Sequence, residues 1–378
     1  MPDYAQEFVQ SCFECLDELH PGDEAAKAGL VRELAGIENA DSNIAAICSA
    51  LAIEVYGSRL PDIVKERLDA ELGSIIENGF SFLYMIAYMS VEKSRAAGYP
   101  VCASGSVGAS VVAYLLGISD FDPIAFSIPF ETFGGLHGEK WPYFTLQFSD
   151  VYLDGNQSYL EEILEYHKPE SMEASSIYLL RRDTLTTIHK LEELTGVDAN
   201  SIPLDDEKTL HLLANADTVG IPLFEEEDAR EMIKTAKPQS FDDFIRIAGL
   251  SFGTDTWFDN AENLIKSDSA TIAEVISSRD ELMLYLMEKG VCRERAFAIM
   301  ENIRKGKGLA VEDRDRMKES GVPEWYVESC GKIQYLFPKA HAVAHTMLAF
   351  RLAWYKAHYP EAFDTTALPL PSKKRPVD

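Results

Sequence analysis

The amino-acid sequence predicts an α+β fold, mainly helical, with a small sheet confined to its first half. Residues 126–149 (FSIPFETFGGLHGEKWPYFTLQFS) set aromatic and β-branched residues between glycine turns, the pattern of strands. Beyond residue 155 apolar residues recur at helical spacing, broken at Asn200, Pro203, Pro222 and the segments TAKPQS, SFGTD and GVPE. A chain of 378 residues can bury a full core and divides into two or three lobes rather than one.

Residues 1–56 alternate helical periodicity with polar breaks (HPGDEA, IENADSN) and read as a helical lead-in. LPDIVKERLDAELGSIIENGF, residues 60–80, is an amphipathic helix with Ile63, Leu68, Leu72 and Ile75 on its apolar stripe and Pro61 suited to its first turn. FLYMIAYMSVEKSRAAGY, residues 82–99, is a second helix, after which the glycines and serines of YPVCASGSVGASVVAYLLG lead into a third. In WPYFTLQFS, residues 141–149, Tyr143, Thr145 and Gln147 alternate with Phe144, Leu146 and Phe148, the period of a strand. The tail, residues 366–378, is proline-rich and basic and reads as disordered.

Charge bounds the partners. The net charge is −27, from 62 acidic and 35 basic residues. Residues 1–300 carry 52 acids and 22 bases, whereas 301–378 carry 10 acids and 13 bases. The main body should repel a phosphate backbone, which disfavours nucleic acid and favours a protein partner; only the last quarter can host a basic patch. Of six cysteines, Cys12 and Cys15 are spaced as C-x-x-C, but no second pair completes a zinc site, so they read as buried or half-buried thiols. MPDYAQEF has neither a basic start nor an apolar core for export, and no apolar run approaches a membrane span, so a reducing cytoplasm is expected. The sequence holds no phosphate-binding G-x-x-x-x-G-K-[ST], no G-x-S-x-G elbow and no H-E-x-x-H: KAHAVAH lacks the glutamate. Ser106 in GSVG is too generic a setting for a nucleophile, and no cofactor or metal is expected.

From about residue 57 to 365 the chain resembles the C-family replicative DNA polymerases of the PolC type. RLDAELGSIIENGF, SGSVGAS, IPFETFGG and the strand after Gly138 resemble the palm. LEELTGVDANSIPLDD, GLSFGTDTWFDNAENLI, SSRDELMLYLMEKG, IRKGKGL, VPEWYVESCGKIQYLFPKAHAVAH and WYKAHYPEAF resemble the family's chain from the end of the palm onward, mostly the helical fingers. The resemblance implies a reduced palm-like mixed sheet over residues 57–205 and a helical fingers-like region over 206–365. It also locates departures. The family's paired metal-binding aspartates come just after a proline; here Pro142 remains, but the matching positions are Tyr143 and Thr145, and the third falls on Tyr178. Phenols and hydroxyls are poor Mg²⁺ ligands beside aspartate. Asp150, Asp154 and Asp183 lie downstream of the required places. The family's phosphate-facing arginine in the glycine-serine loop corresponds to Ser104, and the histidine of its GLSFGTD segment to Phe252. A zinc-bearing insertion is missing, and only about 25 residues separate the second strand from SIYLL.

Ser104, Gly105, Ser106 and Gly108 are candidate anion or nucleic-acid contacts, because such a turn can aim N–H groups at an anion; close helix packing is the competing and favoured reading. Arg304, Lys305, Lys307, Lys339 and His341, with His345 a turn further on, match positions that face template or nucleotide in the family, against the plainer reading of a solvated surface. With all three aspartate positions degenerate, the expectation is a catalytically inactive polymerase-like protein, not an enzyme, that binds a protein or nucleic-acid partner such as the replication machinery. The alternative is a DNA-directed DNA polymerase of the PolC type, with metal-dependent nucleotidyl transfer through displaced acids or a partner subunit. A persisting palm should bring Tyr143, Thr145 and Tyr178 to one sheet face, with aromatic side chains filling the space of the metals.

Overall fold

A computed structural model describes residues 39–156 and 177–366. The Cys12–Cys15 pair, most of the expected lead-in and nearly all of the tail lie outside the described residues. Helices α1 (Ala40–Tyr56), α2 (Asp62–Glu77) and α3 (Ser81–Ala96) come first. α2 starts directly after Pro61, whose missing N–H costs nothing at a helix start. Its buried face is Val64, Leu68, Glu71 and Ile75. That face is turned from the expected stripe: Ile63 is 64% exposed, and the stripe carries a carboxylate at its centre.

The sheet comprises β1 (Val101–Ser104), β2 (Phe144–Phe148) and β3 (Ile177–Arg181), in that spatial order. β1 and β2 pair antiparallel, β2 and β3 parallel; Ser104 lies opposite Thr145, and Thr145 opposite Tyr178. Between β1 and β2 come the short helices α4 (Val111–Leu115) and α5 (Glu131–Gly134). The strand pattern expected from residue 126 is realised only at 144–148. Pro129 removes a ladder donor, Ser127 takes a left-handed φ of 52°, and Gly135 a φ of 85°, so the intervening chain turns instead. Phe144, Leu146 and Phe148 are fully buried, and Phe144 meets Tyr84 and Phe133 edge-on at centroid distances of 5.0 and 6.2 Å.

The rest is helical: α6 (Asp183–Thr195), α7 (Glu207–Ala214), α8 (Glu227–Ala236), α9 (Phe241–Phe252), α10 (Arg279–Glu288), α11 (Arg293–Ile303), α12 (Val311–Glu319), α13 (Glu324–Lys332), α14 (Lys339–His358) and α15 (Pro360–Thr366). Local sequence sets their ends. α6 stops at Gly196 in the left-handed region, α9 opens with a Ser240–Asp243 capping box, and Ser278 caps α10. α14 is buried around most of its circumference, packing on α6, α7, α9, α10 and β1, which explains its apolar residues on every face. No helix among the described residues is long and apolar enough to cross a membrane.

One hydrophobic core takes in α1 to α9 and α14; a second, from Ile276 to Leu336, is built by α10 to α13. Asp280 ties the two together. It is fully buried and accepts hydrogen bonds from Thr132 Oγ1 and from the Lys339 backbone N–H, each at 2.6 Å, while Arg279 donates to the Thr132 carbonyl. Replacing Asp280 by Ala strands both donors in a dry site, a loss of roughly 2–4 kcal/mol. Urea denaturation should show a lower midpoint for D280A and a smaller drop for D280N; a midpoint unchanged in D280A would contradict the role given to this carboxylate.

Candidate functional site

The alternation of β2 fixes which side chains face the site. Thr145 and Gln147 share a face with Cys102 and Ser104 of β1 and Tyr178 and Leu180 of β3, and Tyr143 continues that side. α14 covers the β1 half, where buried Gln147 donates from Nε2 to Ser104 Oγ at 2.9 Å. Tyr143 and Tyr178 are each 43% exposed. The three degenerate positions therefore share a face, but the aromatic filling expected there is not found: among the described residues nothing seals this end, and a phenol can keep its ring edge and hydroxyl in water.

The downstream acids are not placed to substitute. Asp150 accepts from Thr186 Oγ1, Asp154 pairs with Arg181 at 2.5 Å, and Asp183 accepts from the Thr184 N–H at 2.8 Å. All three come after Phe148 or Arg181, which close the opposite end of the sheet from Ser104 and Tyr178. Asp150 is thus roughly 15 Å along the strand from Thr145. Two divalent ions need anionic oxygens, and this end offers phenols, hydroxyls and an amide. No group of three or more His, Cys, Asp or Glu among the described residues could hold a metal. The described residues do not fit a two-metal centre.

At the glycine-serine loop the anion is internal. The fully buried Glu71 carboxylate accepts from Ser110 Oγ (2.8 Å) and from the backbone N–H groups of Val111 (3.1 Å) and Val112 (3.3 Å), so it occupies the first turn of α4. Arg67 Nε lies 2.5 Å from it, and Arg67 Nη2 also donates to the carbonyls of Ala109 and Ile128. Burial raises the proton affinity of Glu71, and Arg67, Ser110 and the Val111 N–H pull it back. Gly108 is a packing position: a Cβ there would sit 2.4 Å from the ring of Phe121. Ser106 opens the single turn 107–109, and Gly105, at φ 85°, donates its N–H to His341 Nδ1 at 3.0 Å.

That last bond begins a clamp between α14 and the sheet. The rings of His341 and His345 are 4.4 Å apart, Phe252 stands edge-on to both, and Arg182 Nη2 lies 3.0 Å from His345 Nδ1. Both Nδ1 atoms face donors, which assigns neutral imidazoles carrying the proton on Nε2. Burial, then Arg182, brings His341 down to about 4; burial, then His341 and Arg182, brings His345 to about 3. The other candidate cations divide. Lys339 is buried, its ammonium 3.4 Å from Glu281 and 3.5 Å from Asp242, so it is a core ion pair and not a surface contact. Arg304 holds Glu301 with two hydrogen bonds, Lys305 lies 2.7 Å from it, and against the opposing effect of burial they keep Glu301 at about 2. Lys307 is exposed beyond them. The sequence reading missed Glu71, for which its place between the apolar Leu68 and Ile75 was a signal; Lys140 and Arg279, which join Arg304 and Lys305, had no local signal.

Both clamp histidines bind protons more weakly folded than unfolded, where the value is 6.5. Their contribution to stability is therefore complete above about pH 6.5 and is lost as pH falls toward the folded values, because only the unfolded chain takes up protons in that window. At pH 5 the loss should be roughly 1–2 kcal/mol per histidine. Urea midpoints should fall between pH 7 and pH 5 in the native chain and fall less in an H341Q/H345Q variant; equal falls would contradict the clamp.

Comparison with known proteins accounts for this layout. Residues 42–180 match the bacterial DNA polymerase III alpha NTPase domain, and residues 184–322 match the bacterial DNA polymerase III alpha subunit finger domain. A protein named DNA polymerase III PolC-type from Caldanaerobacter subterraneus subsp. tengcongensis is 34% identical over 87% of this chain and 34% of its own length. Its namesakes from Thermotoga maritima (32% identical, 86% of this chain, 34% of theirs) and Clostridium perfringens (30%, 87% and 33%) are similar. This chain spans about a third of the length of these relatives. The first alignment runs over 475 positions, more than the 378 residues of the whole chain, so that relative carries internal segments absent here. The relatives are named as polymerases, an enzyme family, and this overturns the expectation that the chain is not an enzyme: a reading from three substituted positions weighed less than similarity along most of the chain. The chain belongs to the PolC-type DNA polymerase III family.

Proposed function

We propose that the chain serves DNA-directed DNA synthesis of the PolC type, as the sheet and helical body of a polymerase whose metal-binding carboxylates come from a partner subunit. The observation that carries this reading is the open end of the sheet, where Tyr143 and Tyr178 stand 43% exposed at the family's metal positions. A surface given over to structure alone would gain by packing these rings. Supply by Asp150, Asp154 or Asp183 is disfavoured, since they sit at the opposite end and hold Thr186, Arg181 and the start of α6. The family's context points to the replication machinery as the source of the partner. The net charge of −27 leaves the positive end around Arg304, Lys305 and Lys307 as the surface on which a nucleic acid is best tolerated.

The test is primer–template extension with Mg²⁺, by the purified chain and by the complex recovered with it from its source cells. The complex should give template-dependent product that is lost when Tyr178→Arg blocks the open face, and the chain by itself should give none. A complex that extends no primer, or extends it equally with Y178R, would overturn the reading. So would product from the chain alone that D150N abolishes, because the acids would then act in cis.

A further inference from the structure

A cavity of about 600 Å³ lies on the seam between the two cores, walled by α9, α10 and α13 and by the turn that carries Phe126. That volume is within the usual range of small-ligand pockets. Arg279 and Asp280 reach from α10 toward Thr132, whereas Glu281, Leu284, Tyr285 and Glu288, spaced as one helical face, line the cavity. Phe126, Phe241 and Leu284 give it an apolar wall, and Tyr285 stacks on Tyr326 with ring centroids 4.3 Å apart.

The charges of this cavity do not balance: four carboxylates line it against two cations. Those cations are already matched. Arg246 bonds Asp242 at 3.1 Å and lies 3.0 Å from Glu281, and the Lys339 ammonium is shared by the same two acids. Glu274 uses one oxygen on Thr271, and among the described residues neither it nor Glu288 has an ion pair. Lys289 lies over the Tyr285 ring at 5.1 Å but does not line the cavity, and it offsets at most one of the two. A separate observation concerns Tyr326 on α13. It is only 3% exposed and lines the cavity, yet among the described residues its hydroxyl has no hydrogen-bond partner. Buried hydroxyls without a partner are uncommon in folded proteins, and this one borders the space in which a ligand would supply it.

We propose that this cavity binds a protonated primary amine carried on a hydrocarbon chain. Glu274 and Glu288 supply the countercharge, the Tyr326 oxygen accepts an ammonium N–H, and the apolar wall takes the methylenes. Burial, then Cys330, Glu281 and Tyr285, raises the proton affinity of Tyr326, with Arg246 opposing, so its oxygen is that of a neutral phenol. An anion is disfavoured, because it would face two uncancelled carboxylates and would have to draw Arg246 and Lys339 from the acids that hold them. A quaternary ammonium is disfavoured too: it has no N–H to donate, and the Tyr285 ring already meets Tyr326 and Lys289. The amine belongs either to a free polyamine or to a lysine side chain of a partner protein. The site shares no residue with the open end of the sheet and stands whether or not carboxylates are supplied there in trans.

The experiment is isothermal titration of the full chain with spermidine and, separately, with Nα-acetyl-lysine methylamide. About 0.15 M salt screens diffuse attraction to a chain of net charge −27. At least one of the two compounds should bind saturably at a single site. Its affinity should fall about fivefold in E274Q/E288Q and about threefold in Y326F. It should be unchanged in D205N/E207Q, an equal charge loss roughly 28 Å away at the far end of α14, where His358 meets Asp206. Y326F removes a hydroxyl that bonds nothing among the described residues, so its unfolding midpoint should not fall; weaker binding at an intact midpoint is what a purely structural role would not give. Tighter binding of spermidine assigns a free polyamine, and tighter binding of the lysine derivative assigns a partner's side chain. No saturable binding of either compound, undiminished binding in E274Q/E288Q or in Y326F, or the same weakening in D205N/E207Q would overturn the site. None of these outcomes depends on primer extension.

Discussion

Asp280 has no exposure to water, and both of its oxygens are engaged: one by Thr132 ahead of β2, the other by the first N–H of α14. That single carboxylate fixes three things at once. It satisfies an orphan donor at the start of a helix buried on nearly every face, where water cannot serve. It holds the smaller core, Ile276 to Leu336, against the larger one. It also sets the position of its neighbour Arg279, whose guanidinium spans to the Thr132 carbonyl. With the start of α14 fixed, His341 and His345 fall beside Gly105 and Arg182, and the helix covers β1 while leaving the outer sheet bare.

The two ends of the sheet then differ in kind. Beyond Phe148 and Arg181 the polar groups answer one another: Asp150 with Thr186, Asp154 with Arg181. At the Ser104–Tyr178 end the donors are neutral, the tyrosines are wet, and the nearby charges are positive and incompletely matched. A buried pair of acids and bases that cancel is a structural device. The glycine-serine loop makes the contrast plain. Its helix start, a ready anion site in principle, is already closed by Glu71.

How much of this the sequence disclosed depends on how local each cause is. The strand at 144–148 was legible because alternation is a property of adjacent residues, and α2 because its apolar stripe recurs within four turns. The expected stripe left out Glu71, which the structure puts on the buried face with partners some forty residues on. The residues from 126 to 143 misled: their aromatic content suits a strand, but Pro129, the left-handed Ser127 and Gly135 decide the backbone there. Lys339 looked like a surface cation and is a core ion pair, because Asp242 and Glu281 arrive from other helices. Lys140 and Arg279 lie far apart in the chain, so only the fold could join them. The family was legible from ordered motifs, whereas the inference from three lost aspartates to a non-enzyme put too much on one site.

The openness of the Tyr143–Tyr178 end underlies the proposed trans supply of carboxylates. Hydroxyl-radical footprinting of the folded chain, read by mass spectrometry, measures it directly. Tyr143 and Tyr178, each 43% exposed, should oxidise readily, while Tyr84 (1%) and Tyr326 (3%) stay unmodified. Protection of Tyr143 and Tyr178 to the level of Tyr84 in the isolated chain would mean that this end is sealed, and would contradict the account.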